Sequence, residues 1–500
     1  MPSKPSVQRR AGARMRTLIA AVPFVLALAA CGDSTPRGRS LELAPCRLPR
    51  FARAVQCGEV RVPENRAAPN ARTIGIFVAV MPANTLTPKP DPLFILAGGP
   101  GQAASQLAPF AAQLNAVRRT RDIVLMDQRG TGRSSPLECA AFKPASALDF
   151  ELDLLPRAKE CLAELSAKGI DPAQYTTSAA VADLESVREA LGYPKINLWG
   201  GSYGTRLALE YLRRHPENVR SEVLDGVAPP PMKITLDVWR TRDAALSDII
   251  AACRASEACR KAHPDPAATL SAIEREIGPG TRRVTIADPH TGAPFELAVT
   301  FDLVLAALQP LTYSPELASL IPELLDRAAN GDFAPLVAAF ANVNGDINEQ
   351  LNTALHFSVT CAEDAPRVEK SVREGGLADL RTRRLAESVL AICDVWPHGF
   401  LPADFAEPVK SDVPVLLLSG ALDPVTPPIY ADQVSKTLPN SRHVIAAAQG
   451  HIVSTHGCGT RLVAAFVETA GFTSLPKGCV DFFARSQRPP FFPDLLGPQP

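Results

Sequence analysis

The sequence predicts an α/β fold: a mostly parallel sheet flanked by helices, with a long, mainly helical segment inserted into it. Three observations lead there. Short apolar runs recur, each ending in a glycine-rich or turn-forming cluster, as strands buried on both faces do. Amphipathic stretches at helical spacing separate them, the alternation that builds a parallel sheet. Residues 231–405 break that alternation with Ala, Leu and charged residues at helical spacing, and short apolar runs then return.

The chain has 500 residues, 46% hydrophobic and 21% charged, which suits a folded chain and excludes a disordered one. Its 52 basic and 52 acidic side chains cancel, so no nucleic-acid partner is expected. The 47 prolines exclude long uninterrupted helical arrays.

Residues 1–30 form a separate unit. Lys4, Arg9, Arg10, Arg14 and Arg16 precede an apolar run at 17–30, too short to cross ~30 Å of hydrocarbon as a helix. It has the length of a signal-peptide core. The run ends Leu28-Ala29-Ala30-Cys31, which resembles a bacterial lipobox. That resemblance implies cleavage before Cys31, lipidation of its thiol and a membrane anchor. With Gly32 next, the periplasmic face of the outer membrane is the expected location. Removing residues 1–30 leaves 47 basic against 52 acidic side chains, a net charge of −5. Residues 31–57 read as a tether.

Eleven cysteines are an odd set, and Cys31 accounts for the odd one. Cys46, Cys57, Cys139, Cys161, Cys253, Cys259, Cys361, Cys393, Cys458 and Cys479 remain, an even set that reads as disulfides in an oxidising compartment. Pairing of neighbours is the hypothesis: 46–57, 139–161, 253–259, 361–393 and 458–479. No C-x₂-C spacing or accompanying His pair occurs, so no metal and no cofactor is expected.

The core begins at residue 58 and runs to 230. Residues 73–81 (TIGIFVAVM) read as a strand. Residues 92–97 (PLFILA) form another, ending in Gly98-Gly99-Pro100-Gly101, and 122–126 (DIVLM) a third, ending in Asp127-Gln128-Arg129-Gly130. A helix follows with Ser178 as N-cap, Val181, Leu184, Val187 and Leu191 on one face, and Gly192 as its stop. A strand at 196–199 breaks into Gly200-Gly201-Ser202-Tyr203-Gly204, a helix follows, and 221–224 is the next strand. Within the insertion only 283–301 looks strand-like. Residues 406–500 resume the core with strands at 413–418 and 442–446 and helices near 429–436 and 460–469. No internal repeat is visible.

Chemistry concentrates at strand ends. Gly200-x-Ser202-x-Gly204 matches the nucleophile elbow, in which glycines let the backbone turn sharply enough to raise a serine above the sheet. A serine needs a base, and the base an orienting acid. Of eight histidines, His443, His451 and His456 follow the resumed sheet. His443 lies inside a strand and His451 in the loop leaving it, which makes His451 the base and His456 its runner-up. Asp423 follows the 413–418 strand as the acid; Asp225, ending the 221–224 strand, competes with it. Asp127 and Arg129 are expected to brace loops.

Together, Gly98-Gly99-Pro100-Gly101, Asp127-Gln128-Arg129-Gly130-Thr131-Gly132-Arg133-Ser134 and Gly200-Gly201-Ser202-Tyr203-Gly204-Thr205 resemble the proline iminopeptidase and tripeptidyl aminopeptidase branch of the α/β-hydrolases. The resemblance covers nearly all of residues 58–480. It implies an α/β-hydrolase fold with a helical cap, and a Ser202, Asp423, His451 triad. Ala97 stands where proline iminopeptidases have His, which fits the secreted tripeptidyl-aminopeptidase side better.

The expected activity is serine aminopeptidase action on a short peptide substrate. Gly99 and Tyr203 N–H groups would be the oxyanion donors, and Glu363 and Asp364 would hold the substrate's α-ammonium. A carboxylesterase with the same triad is the nearest alternative. A non-catalytic binding lipoprotein on the same fold is an alternative of another class. Oligomeric state is left open.

Overall fold

A computed structural model of the chain describes residues 41–491 except 69, 71, 144–152, 289–290 and 374, together with all their side chains but those of 344–349, 371 and 373. Cys31 and the expected signal segment lie outside the described residues.

Eleven strands are described: β1 (Ala44–Leu48), β2 (Phe51–Pro63), β3 (Thr73–Met81), β4 (Leu93–Leu96), β5 (Ile123–Met126), β6 (Ile196–Gly201), β7 (Val219–Asp225), β8 (Arg282–Ala287), β9 (Pro294–Val299), β10 (Val415–Gly420) and β11 (Ser441–Ala446). Nine of them form one sheet in the order β1-β2-β3-β5-β4-β6-β7-β10-β11. From β5 to β11 every pairing is parallel; the β1–β2, β2–β3 and β3–β5 pairings are antiparallel. β8 and β9 make a separate hairpin inside the insertion.

Central strands β4, β5, β6 and β10 are buried at every residue, which is why they read as unbroken apolar runs. Trp199, Val223, Leu416 and Leu418 pack on one face with helix Gly459–Thr469. Leu198, Leu224, Val415 and Leu417 pack on the other, with helices Thr177–Ala190 and Tyr203–Arg214. Glu222 is the exception. It is fully buried in register with Leu198 and Val415, and both carboxyl oxygens lack a hydrogen-bond partner. Burial pushes its pKa well above the carboxylate range, so it is held as the neutral acid.

Residues 44–57 are not a tether. They form β1 and the start of β2, the antiparallel edge of the sheet. Their Arg and Pro content suits a half-exposed edge, and only Leu48, Val55 and Cys57 mark the inward face, too little periodicity to read from sequence. The helix expected to be capped by Ser178 is capped two residues earlier by Thr176, whose hydroxyl accepts from the Ala179 N–H.

Between β7 and β10 the chain is helical apart from the hairpin. Helices Ile234–Ala255, Pro266–Ile277, Ile321–Ala329 and Ala334–Gln350 bury an apolar core of their own, including Ile249, Leu270, Leu325 and Leu336. A further cluster, with Phe357 and Trp396, packs Leu236 of this cap on Tyr203 at the start of the elbow helix.

The ten remaining cysteines pair as neighbours: 46–57, 139–161, 253–259, 361–393 and 458–479. Their Cα separations run from 4.8 to 5.9 Å, within the ordinary disulfide range. Cys458–Cys479 ties the loop after β11 to the last helix, closing 21 residues of separation. Replacing both cysteines by Ala should lower unfolding free energy by about 2–4 kcal/mol. Urea titration measures it, and non-reducing peptide mapping should return the same five pairs.

Candidate active site

The loops at the carboxyl ends of β4, β6, β7, β10 and β11 converge on one point. β6 runs into Ser202 at its carboxyl end, and helix Tyr203–Arg214 leaves from it. Ser202 itself adopts φ 56° and ψ −126°, a conformation that costs a non-glycine residue about 1–3 kcal/mol. Its neighbours explain how the turn is possible. A Cβ on Gly200 would stand 2.5 Å from the Gly204 carbonyl oxygen, and one on Gly204 would stand 2.2 Å from that of Leu96. Only glycine fits at either place.

His451 lies in the loop leaving β11. Its Nδ1 is 2.8 Å from Asp423 Oδ2, and the Asp423 side chain is fully buried. Asp423 Oδ1 also accepts the Val425 and Thr426 N–H groups at 2.8 and 2.9 Å. The Thr426 hydroxyl donates to Oδ2 at 2.8 Å. Burial pushes the Asp423 carboxyl up, but the His451 charge and these hydrogen bonds outweigh it and hold the pKa below the ordinary range. An ionised Asp423 requires the proton on His451 Nδ1, leaving the Nε2 lone pair free.

Ser202 and His451 line one cavity of about 1020 Å³. Gly99 and Tyr203 line it beside them. The Tyr203 N–H opens its helix, where no intrahelical acceptor exists. The cap supplies the roof, through Trp239, Arg242, Phe340 and Val389.

Asp225, the competing acid, has a different position. Its carboxylate accepts the Val453 and Ser454 N–H groups at 2.8 and 2.7 Å, and its carbonyl accepts that of Ser202 at 2.9 Å. It therefore pins the His451 loop to the elbow. His443 bonds Asp432 and Ser419 beside the strand, and His456 is exposed. Asp127 accepts from Ser105 and Arg133, while Arg129 pairs with Asp183, so both brace loops.

Two family models match the chain: the alpha/beta hydrolase fold over residues 91–279 and the TAP-like protein over residues 380–478. Serine protease Hip1 of Mycobacterium tuberculosis is 24% identical over 431 residues, covering 78% of this chain and 81% of the relative. Tripeptidyl aminopeptidase of Streptomyces lividans is 32% identical over 194 residues, 35% of this chain and 36% of that protein. Proline iminopeptidase of Neisseria gonorrhoeae is 35% identical over 136 residues, 27% of this chain and 32% of that protein.

The chain has the α/β-hydrolase fold, and the relatives it resembles are named as peptidases.

In this hydrolase Glu363 and Asp364 do not reach the substrate cavity. Both are 0% exposed. Arg206, on the elbow helix, pairs with Asp364 at 2.9 Å and Glu363 at 3.4 Å. Glu363 also accepts the Thr177 N–H and hydroxyl at 2.7 and 2.9 Å, and Asp364 accepts the Ile234 N–H at 3.0 Å. An acid so engaged has no capacity left for an ammonium. Sequence reasoning missed Arg206 because it lies some 160 residues from its partners; it also missed Tyr313, Thr426 and His356, which share the cavity lining with no motif to mark them.

Burial pushes Glu363 up to about 7 from an ordinary 4.5, against the pull of Arg206. Between those values the folded hydrolase binds more protons than the unfolded chain, so this residue erodes stability as pH rises. Glu363→Gln removes the proton. Its urea midpoint should fall less than that of the wild type between about pH 4.5 and 7, the window set by the Glu363 shift.

Proposed function

We propose that this hydrolase is an exported, lipid-anchored serine aminopeptidase that releases N-terminal residues or tripeptides from short peptides. The observation that carries the reading is the roofed cavity holding Ser202 and His451 together, with Asp423 behind the imidazole. The roof suits short, slender substrates. The names of the relatives support peptide hydrolysis, and the five disulfides support an oxidising compartment.

In the mechanism Ser202 Oγ attacks the scissile carbonyl carbon while His451 Nε2 takes the hydroxyl proton. The carbonyl oxygen becomes an oxyanion between the Gly99 and Tyr203 N–H groups, each donor contributing about 2.7–4 kcal/mol to the transition state. Collapse breaks the C–N bond, and His451 returns the proton to the leaving amine. Water, deprotonated by the same imidazole, then cleaves the acyl-enzyme ester and frees Ser202. Asp423 keeps the imidazole tautomer and stabilises its charged form.

With Glu363 and Asp364 withdrawn, Glu138 is the acid that lines the cavity among the described residues and can meet an α-ammonium. The second reading is a carboxylesterase with the same triad, since the serine attacks an ester carbonyl as it attacks an amide.

Aminoacyl-arylamides against short acyl esters separate the two, and no amide cleavage would exclude the first. Ser202→Ala should abolish fluorophosphonate labelling and lower kcat by about 10⁴-fold or more. Retained labelling would show another nucleophile. Membrane attachment has its own check: Cys31→Ser should move the protein from the membrane fraction into the soluble extract.

A further inference from the structure

The buried arginines of this chain have carboxylate partners. Arg121 pairs with Asp91, Arg129 with Asp183 and Arg206 with Asp364. Arg242, which is half-buried, has no such partner. It projects from helix Ile234–Ala255 into the cavity that holds Ser202, and no carboxylate among the described residues pairs with it. Its side chain is nevertheless held firmly. One η nitrogen donates to Gln309 Oε1 at 3.1 Å and the other to the Tyr313 hydroxyl at 2.6 Å. The guanidinium carbon stands 5.5 Å from the Trp239 ring centroid and 5.4 Å from that of Tyr313. Its Nε is buried without a partner. A half-buried cation met only by neutral acceptors and ring faces keeps the capacity to take an anion. Two of its five N–H groups are used, and three remain.

Its position decides which part of a substrate would supply that anion. Tyr313 connects Arg242 to the base: its carbonyl accepts the His451 N–H at 3.1 Å, and its ring meets the imidazole edge-on, with centroids 5.4 Å apart. The imidazole donates the proton to the departing amine, so groups beside it face the leaving portion of the substrate. An exopeptidase acting near the N-terminus of a short peptide leaves a fragment that ends in a carboxylate.

We propose that Arg242 is the subsite for the C-terminal carboxylate of the leaving peptide, so that this hydrolase selects peptides short enough to span from Ser202 to Arg242. The proposal deepens the peptidase reading above and rests on it. Arginine suits the task because its planar fork matches a carboxylate, and the Tyr313 hydroxyl, already accepting from Arg242, has its own hydrogen to offer.

Binding and turnover are measured separately. Tetra-alanine and its C-terminal amide, which extend past the scissile bond for release of one residue or three, serve as probes of the cavity, with affinity read from the concentration dependence of the thermal unfolding midpoint. The free acid should bind at least about 10-fold tighter to the wild-type protein, as expected for a charge-assisted hydrogen bond in place of a neutral one. In Arg242→Gln the ratio should fall to near unity, and in Arg242→Lys to an intermediate value. In turnover, short peptides with a free C-terminus should show the same preference in kcat/KM over their amides, and lengthening the leaving peptide should remove it. Equal affinity of acid and amide for the wild-type protein overturns the proposal even if the variants do not fold. So does an undiminished ratio in Arg242→Gln. Carboxylate-selective binding with no peptide cleaved would refute the peptidase reading while leaving the subsite standing.

Discussion

The backbone at Ser202 is the constraint on which the rest of this molecule depends. A non-glycine residue at φ 56° persists only where its surroundings over-determine it. Here the surroundings are the fully buried strand β6 that leads into it, two glycines that let carbonyl groups pass within contact, and the Asp225 carbonyl that receives the Ser202 N–H. The same Asp225 carries the His451 loop on its carboxylate. One residue at the end of β7 thus ties Ser202 to the loop that carries His451.

Local chemistry was legible in the sequence. The elbow declares itself because a strand, two glycines and a helix must be contiguous. Asp423 and His451 could be picked because each lies one step past an apolar strand. Neighbour pairing of the cysteines is equally local: partners 6 to 32 residues apart bridge adjacent turns, helices and strands. Interactions between distant segments left no such trace. Glu363 and Asp364 looked like free acids beside a cysteine, and nothing in their vicinity announces Arg206. Arg242 is one of 52 basic residues, on a helix without a motif. The edge strands were hidden by their own exposure, since an edge that faces water need not alternate cleanly.

The cavity's charge divides the possible substrates. Among the described residues its lining sets Arg242 and Lys143 against Glu138. A site with that balance gives weak purchase to an isolated ammonium and better purchase to a molecule that also carries a carboxylate. Short peptides carry both charges, which reconciles a cationic cavity with relatives named as aminopeptidases.

The ion cluster beneath the elbow also bears on motion. Arg206 belongs to the helix that starts at the nucleophile, whereas Glu363 and Asp364 belong to the cap. Lifting the cap as a rigid lid would strip a buried guanidinium of both carboxylates, at a cost of about 3–5 kcal/mol. Such a cap behaves as a fixed aperture rather than a door. Substrate choice is then made by what can thread the opening, before any contact with Ser202.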